Sequence, residues 1–246
     1  MRPGSNQNCT MAITSPAIKG ISSMATRQLL AEVLSAFQQQ SGCAVTMEAV
    51  GGVDAAKRVQ AGEAFDVVVL ASDAIDKLMA AGHLQAGSKV DLVHSGVALA
   101  VRAGAQLPDI TSEDAVKRAV LAARSISCST GPSGVALAKL FERWGITSDI
   151  QGRMVQAPPG VPVGALVARG EVALGFQQLS ELLHVDGITV VGPLPPAIQI
   201  TTTFSAGIHS SVVAGSLQAE RVRAMLDAMR SPQADAAKRR QGMEPA

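Results

Sequence analysis

Short apolar runs alternate along this chain with longer segments of helical period. Ala17–Ser23 is an apolar strand. It passes through Ser22-Ser23-Met24-Ala25-Thr26 into Arg27–Gln40, where Leu29, Leu30, Val33, Leu34 and Phe37 recur at helical spacing before Gly42. Ala44–Val50 alternates as a strand, and Gly51-Gly52 opens a helix over Val53–Ala61 that Gly62 closes. Phe65–Ala71 is continuously apolar, as expected of a strand buried on both faces of a parallel sheet. Ser72 and Asp73 cap a helix over Ala74–Ala81, which Gly82 ends.

The alternation continues in the second half. Strands are predicted over Gly96–Arg102, Ser125–Cys128, Met154–Gln156, Val172–Gln177, Gly187–Val191 and Thr201–Ile208. Helices are predicted over Glu113–Ala123, Val135–Trp144, Val161–Ala168 and Gln218–Met229, with a further segment at Leu179–Leu183. The Gly192–Pro196 stretch cannot continue a helix or a central strand. Ala236–Ala246 predicts a last helical turn and a frayed end. Strand, Gly/Ser turn and helix in succession is βαβ logic, which gives parallel sheet covered by helices. Roughly ten strands in one open sheet would be unusual. The expected fold is therefore α/β with two doubly wound lobes joined by a hinge. Lobe I would hold residues 1–95 and 199–246, lobe II residues 96–198, with a ligand cleft between them.

Composition narrows the chemistry. Hydrophobic content of 47% supports a packed core and excludes a disordered chain. A formal net charge of +1 lacks the basic excess that phosphate neutralisation needs, and no Tyr, one Trp and five Phe leave little surface for base stacking. A nucleic-acid partner is not expected. No apolar run approaches the length of a membrane span. Cys9, Cys43 and Cys128 form no CxxC and no zinc spacing, so neither a metal nor another cofactor is expected. Met1–Thr10 has no apolar core of a signal peptide, and Met11 is an alternative start. The compartment is cytoplasmic if that N-terminus is native.

Ligands of open parallel sheets bind beyond the carboxyl ends of strands, at helix N-termini. Three turns fit: Ser22-Ser23-Met24-Ala25-Thr26, Val50-Gly51-Gly52-Val53 and Ser129-Thr130-Gly131-Pro132-Ser133-Gly134. Each offers backbone N–H groups and close approach, and two offer hydroxyls. Ser and Thr at such turns also serve simply as caps, and glycine simply as a tight turn. The occurrence of three in one chain favours an anion held by neutral donors, with Arg27 the single nearby cation. No turn matches GxGxxG or GxxxxGK[ST]. Ser133 has no identifiable base, and His83, His94, His184 and His209 read as ordinary polar positions. Glu48, near the end of a strand, is the one candidate base, if buried with a raised pKa. Gln177 and Gln178 end an apolar strand where an amide could donate into the cleft.

The ordered set Ile21–Thr26, Gly51–Gly62, Phe65–Ser72, Gly131–Val135 and Leu174–Leu183 resembles the periplasmic molybdate-binding protein family of ABC importers. Within it, the match is to an organic-acid-like branch that includes aconitate isomerase-like proteins, and it covers nearly the whole chain after about Ile13. The resemblance implies a type 2 periplasmic-binding fold that closes on a small anion by a hinge motion. It also implies a periplasmic monomer that hands its ligand to an ABC importer. Carried across, the ligand contacts are Ser22, Ser23, Met24, Arg27, Gly51, Gly52, Ala71, Ser72, Ser129, Thr130, Gly131, Ser133, Gly134, Gln177 and Gln178. Gly51-Gly52-Val53 stands where molybdate binders tend to have serines, and Gln178 where they often have tyrosine. Both departures suit a di- or tricarboxylate better than a tetrahedral oxyanion. The alternative is an isomerase of a small unsaturated tricarboxylate on the same fold.

Overall fold

A computed structural model describes residues 16–158 and 160–246. Met1–Thr10, Met11 and Cys9 lie outside the described residues. The elements in order are β1 (Ile18–Ser23), a 3-10 turn (Met24–Thr26), α1 (Arg27–Ser41), β2 (Val45–Val50), α2 (Gly52–Gln60), β3 (Val67–Ala71), α3 (Ser72–Ala80) and β4 (Val90–Arg102). These are followed by α4 (Glu113–Ala122), β5 (Ile126–Cys128), α5 (Pro132–Arg143), α6 (Thr147–Ile150), α7 (Val163–Ala168), β6 (Leu174–Gln178) and α8 (Leu179–Leu182). The chain ends with β7 (Ile188–Pro193), β8 (Thr201–Ile208), α9 (Leu217–Arg230), α10 (Pro232–Arg240) and β9 (Met243–Pro245).

The strands lie in the order β2-β1-β3-β8-β4-β6-β5, with β7 and β9 also on β4. Pairs β1–β2, β1–β3 and β5–β6 are parallel, as the βαβ pattern requires. β8 and β4 run antiparallel to their neighbours, so the sheet is mixed rather than purely parallel. Apolar clusters fall on either side of this crossing. One side packs Leu30, Phe37, Val67 and Met225 on one face and Ile21, Val68 and Leu78 on the other. The other side packs Phe141 edge-on to Phe176, with ring centroids 6.1 Å apart, among Leu137, Ile126 and Val116.

Three expectations change. β4 begins at Val90, not Gly96, and pairs with β8 through Val90–Gly96 and with β6 from Val97 onward. An irregularity between Asp91 and Val93 breaks the period-2 pattern and hid this strand. Met154 makes only an isolated bridge to Ile126, so Met154–Gln156 is not a strand. The tail is not frayed: α10 starts with Pro232 at its first turn, and Met243–Pro245 pairs with Val93–Ser95 of β4.

Candidate functional site

The carboxyl ends of β1, β2 and β3 lie side by side, because Ser23 pairs with Val50 and Ser22 with Val69. Ala71 at the end of β3 pairs with Phe204 of β8, which in turn pairs with Val93 of β4. Across β4, Val97 pairs with Gln178, and Cys128 at the end of β5 pairs with Phe176. The expected ligand turns therefore border one line, drawn where β4 and β8 join the two sides of the sheet.

Ser22 is buried, and its hydroxyl donates to Glu48 O at 3.4 Å. Ser23 accepts from Ala25 N–H at 3.4 Å and keeps its own proton to donate. A Cβ on Gly52 would stand 3.6 Å from Ser23 Oγ, so these two residues share one place. Met24 is half-buried beside them. Arg27 is exposed and makes no ion pair among the described residues. It stands in the first turn of α1, where the helix dipole disfavours a cation.

Helices α2, α3 and α5 begin without a side-chain cap, at Gly51, Ala71 and Gly131, whereas α1 continues the Met24–Thr26 turn that Ser23 caps, its Arg27 N–H donating to Met24 O. Ser112 and Ser216 cap α4 and α9, while α6, α7, α8 and α10 also begin without a side-chain cap. Of the uncapped helices, α2, α3 and α5 follow a strand end or turn along the line. Their first N–H groups are left for another acceptor. On the β5–α5 side, Ser129 and Ser133 hydroxyls meet at 2.8 Å, with Ser133 only 4% exposed and Thr130 at the surface. Gly134 is required there, since a Cβ would lie 1.6 Å from Ser129 O.

A cavity of about 360 Å³ joins the two sides. It is lined by Ser72, Asp73 and Asp76 of α3, Pro132 and Ala136 of α5, and Ile200–Thr203. Of the expected residues only Ser72 lines it; Ser23, Gly52 and Ser133 do not. The threonine run Thr201–Thr203 was the signal in the sequence for this wall, and it was read only as strand. The acidic lining is partly neutralised, with Asp76 2.7 Å from Lys89 and Asp73 3.5 Å from Lys77.

Two expectations about individual side chains are corrected. Glu48 is exposed, and Arg58 chelates it at 2.6 and 2.9 Å while also holding Glu63. The Arg58 guanidinium holds the Glu48 carboxyl below the usual range, so Glu48 is not a base of raised pKa. Gln177 and Gln178 are engaged inside the protein rather than aimed outward, on opposite faces as strand neighbours must be. Gln177 accepts from Gly164 N–H at 3.0 Å. The Gln178 amide, turned so that both its ends are satisfied, accepts from Thr202 Oγ1 at 2.9 Å and donates to Ser95 Oγ at 2.8 Å. It thus ties together the two strands that cross.

Glu181 had no signal in the sequence. It stands in α8, three residues after Gln178, and desolvation pushes its carboxyl up to about 7. Cys128 is half-buried, and desolvation pushes its thiol up to about 12, which leaves it inert as a nucleophile. Cys43 and Cys128 are free thiols. No described helix is long and apolar enough to cross a membrane, and no group of His, Cys, Asp and Glu among the described residues is arranged to hold a metal.

Two α/β units linked by crossing strands, with uncapped helices along the seam, define the type 2 periplasmic-binding fold. The periplasmic molybdate-binding protein of Azotobacter vinelandii superposes with a TM-score of 0.74 at 21% identity, over 92% of this chain and 98% of that one. The sulfate-binding protein SubI of Mycobacterium tuberculosis gives 0.73 at 16% identity, over 94% and 88%. The family model for bacterial extracellular solute-binding proteins matches residues 18–244, and this chain belongs to that family. It is also 39% identical to an aconitate isomerase of a Pseudomonas species over 222 residues, which are 87% of this chain and 82% of that protein.

Proposed function

We propose that this protein captures a small anion, an oxyanion or a di- or tricarboxylate, in a cleft between two lobes. Lobe I comprises residues 1–95 and 199–246, and lobe II residues 96–198. The boundary near Ser95 falls within β4, so the hinge is the β4–β8 crossing. The observation that carries the proposal is the convergence of three uncapped helix N-termini, those of α2, α3 and α5, on one line beside the Ser23 and Ser129–Ser133 hydroxyls. Such donors stabilise a desolvated anion without a charge clamp. Closure would draw together Ser22, Ser23, Met24, Gly51 and Gly52 with Ala71 and Ser72 on one side. On the other it would bring Ser129, Thr130, Gly131, Ser133 and Gly134. Arg27 would gain there the counter-charge that its position on α1 lacks. The Gln177 and Gln178 amides would position neighbouring groups. Family membership supports a periplasmic location and delivery to the membrane component of an ABC importer, with the protein acting as a monomer.

Thermal-shift measurements with molybdate, sulfate, phosphate, citrate, malonate and both aconitates test this. One class of anion is expected to stabilise by about 2.7 kcal/mol at one hundred times its Kd. For a chain of this size that raises the Tm by roughly 5–10 °C. No shift with any of them would refute anion capture.

A second proposal is favoured by the 39% identity to an aconitate isomerase, well above the 16% and 21% shared with the oxyanion binders. Here the cleft holds an unsaturated tricarboxylate and shifts its double bond. The chemistry needs one base beside the bound ligand.

A further inference from the structure

The seam turns and the cavity are separate places that share an edge. Ser23, Gly52 and Ser133 do not line the cavity. Its lining nevertheless includes Ser72, directly after Ala71 at the end of β3, and Pro132, directly before Ser133. A compact ion seated among the turns would leave about 360 Å³ beside it unfilled. That volume falls in the range of small-molecule pockets.

The cavity wall on β8 is built from hydroxyls. A Cβ on Gly207 would meet Ile75 of α3 at 3.5 Å, so that face of β8 looks toward α3. Alternate residues of a strand share a face, which places Ser205, Thr203 and Thr201 on the same side. Ser205 is spent, donating to Asp91 Oδ1 at 2.6 Å, and Thr202 is spent on Gln178. Thr201 and Ser72 line the cavity and make no side-chain hydrogen bond among the described residues, so both hydroxyls can donate into it.

Thr203 Oγ1 meets His94 Nδ1 at 2.9 Å, the two residues being directly opposed on β8 and β4. A hydroxyl has one proton and two lone pairs. When Nδ1 accepts, the Thr203 proton is consumed; when Nδ1 carries a proton and donates, the Thr203 proton is free for the cavity. An anion there therefore selects the form of His94 with a proton on Nδ1. The acidic lining does not oppose this. Asp76 accepts from Lys89 Nζ at 2.7 and 2.8 Å, and Asp73 pairs with Lys77, so two carboxylates are matched by two ammonium groups. Glu244, opposite His94 on β9, pairs with Arg239 at 3.5 Å.

We propose that Ser72, Thr201 and Thr203 form a second anionic subsite, for a ligand carboxylate remote from the group held among the seam turns. His94 is a positioning residue that turns the Thr203 hydroxyl toward it. This rests on the anion-capture proposal above and narrows it to a ligand with at least two carboxylates. A tetrahedral oxyanion occupies the first place only. The subsite, like the seam, holds negative charge with neutral donors.

Calorimetric titration of the full chain with citrate, trans-aconitate, malonate, sulfate and molybdate tests it. The wild type is expected to bind one of the di- or tricarboxylates at least about 10-fold tighter than either tetrahedral ion. Thr203→Val, close in shape and suited to a strand, should weaken that binding by about 10- to 100-fold. Thr201→Val, at an exposed position that tolerates the change, should weaken it in the same direction. In nitrogen-15 NMR of the wild-type complex, His94 Nδ1 should carry a proton, its signal being the one lost in His94→Asn. A wild type that binds none of these ions overturns anion capture, and the subsite falls with it. A wild type that binds sulfate or molybdate as tightly as any carboxylate overturns the subsite and leaves capture standing. So does unchanged carboxylate affinity in either threonine variant. An unprotonated His94 Nδ1 in the complex overturns the orientation of Thr203, a result that does not depend on either threonine variant folding.

Discussion

Replacing Gly134 with alanine is expected to unseat the β5–α5 turn and remove ligand capture with it. The new Cβ would stand 1.6 Å from Ser129 O and 2.7 Å from Ser129 C. Both are backbone atoms, which cannot swing aside as a side chain can, so the turn itself must move. Overpacking of this kind costs about 3 kcal/mol. The displaced segment carries the Ser129–Ser133 hydroxyl contact, at 2.8 Å, and the uncapped start of α5. Urea unfolding should show the loss of stability, and the anion panel should give no thermal shift. Gly131→Ala provides the control. A Cβ there meets nothing within 4 Å, and its φ of −83° is open to any residue. Equal stability of the two variants would show that the turn is not packed as described.

Replacing Glu181 with glutamine is expected to stabilise the protein, and only at the higher pH. The folded carboxyl titrates at about 7, against an ordinary value of 4.5. Between those values the folded chain holds a proton that the unfolded chain has lost. Wild-type stability from this group is therefore greatest below about pH 4.5 and falls as pH rises to 7, by up to about 3 kcal/mol. Glutamine keeps the shape and removes the titration. Glu181→Gln should therefore exceed wild type by that amount in urea at pH 8 and match it near pH 4.5. A pH-independent difference would mean that the Glu181 carboxyl is not desolvated.

Much of the fold was legible because local signals agreed. Leu29, Leu30, Val33, Leu34 and Phe37 are all buried on one side of α1, and Gly42 ends it with φ of 68°. Val67–Ala71 is buried at every position, as a continuous apolar run between helical layers should be. The crossing of β4 was not legible. His94 and Ser95 look like a boundary by composition, yet Ser95 is fully buried because Thr202 and Met243 pair with it from either side. β9 was hidden for a similar reason: three residues ending in Pro245 become a strand only because β4 offers an open edge.

The site divides along the same line. Turns are local, so Ser23, Gly52 and the Ser129–Gly134 segment could be found from spacing alone. Side-chain direction and burial are not local. Glu48 was misread because Arg58, ten residues on, claims it. Gln177, in β6, was misread because Gly164 of α7 claims it. Glu181 drew no notice in Leu179–Leu183, since its raised pKa arises entirely from what packs around it. Thr201–Thr203 face a cavity that exists only once α3 and α5 are brought to β8.

The most direct test is a crystal structure with the stabilising anion bound. The expected result is one anion that touches Ser23 Oγ and the Gly52 N–H on one side and the Ser133 region on the other at the same time. An anion bound to only one of these sides, or elsewhere in the molecule, would contradict capture at the β4–β8 seam.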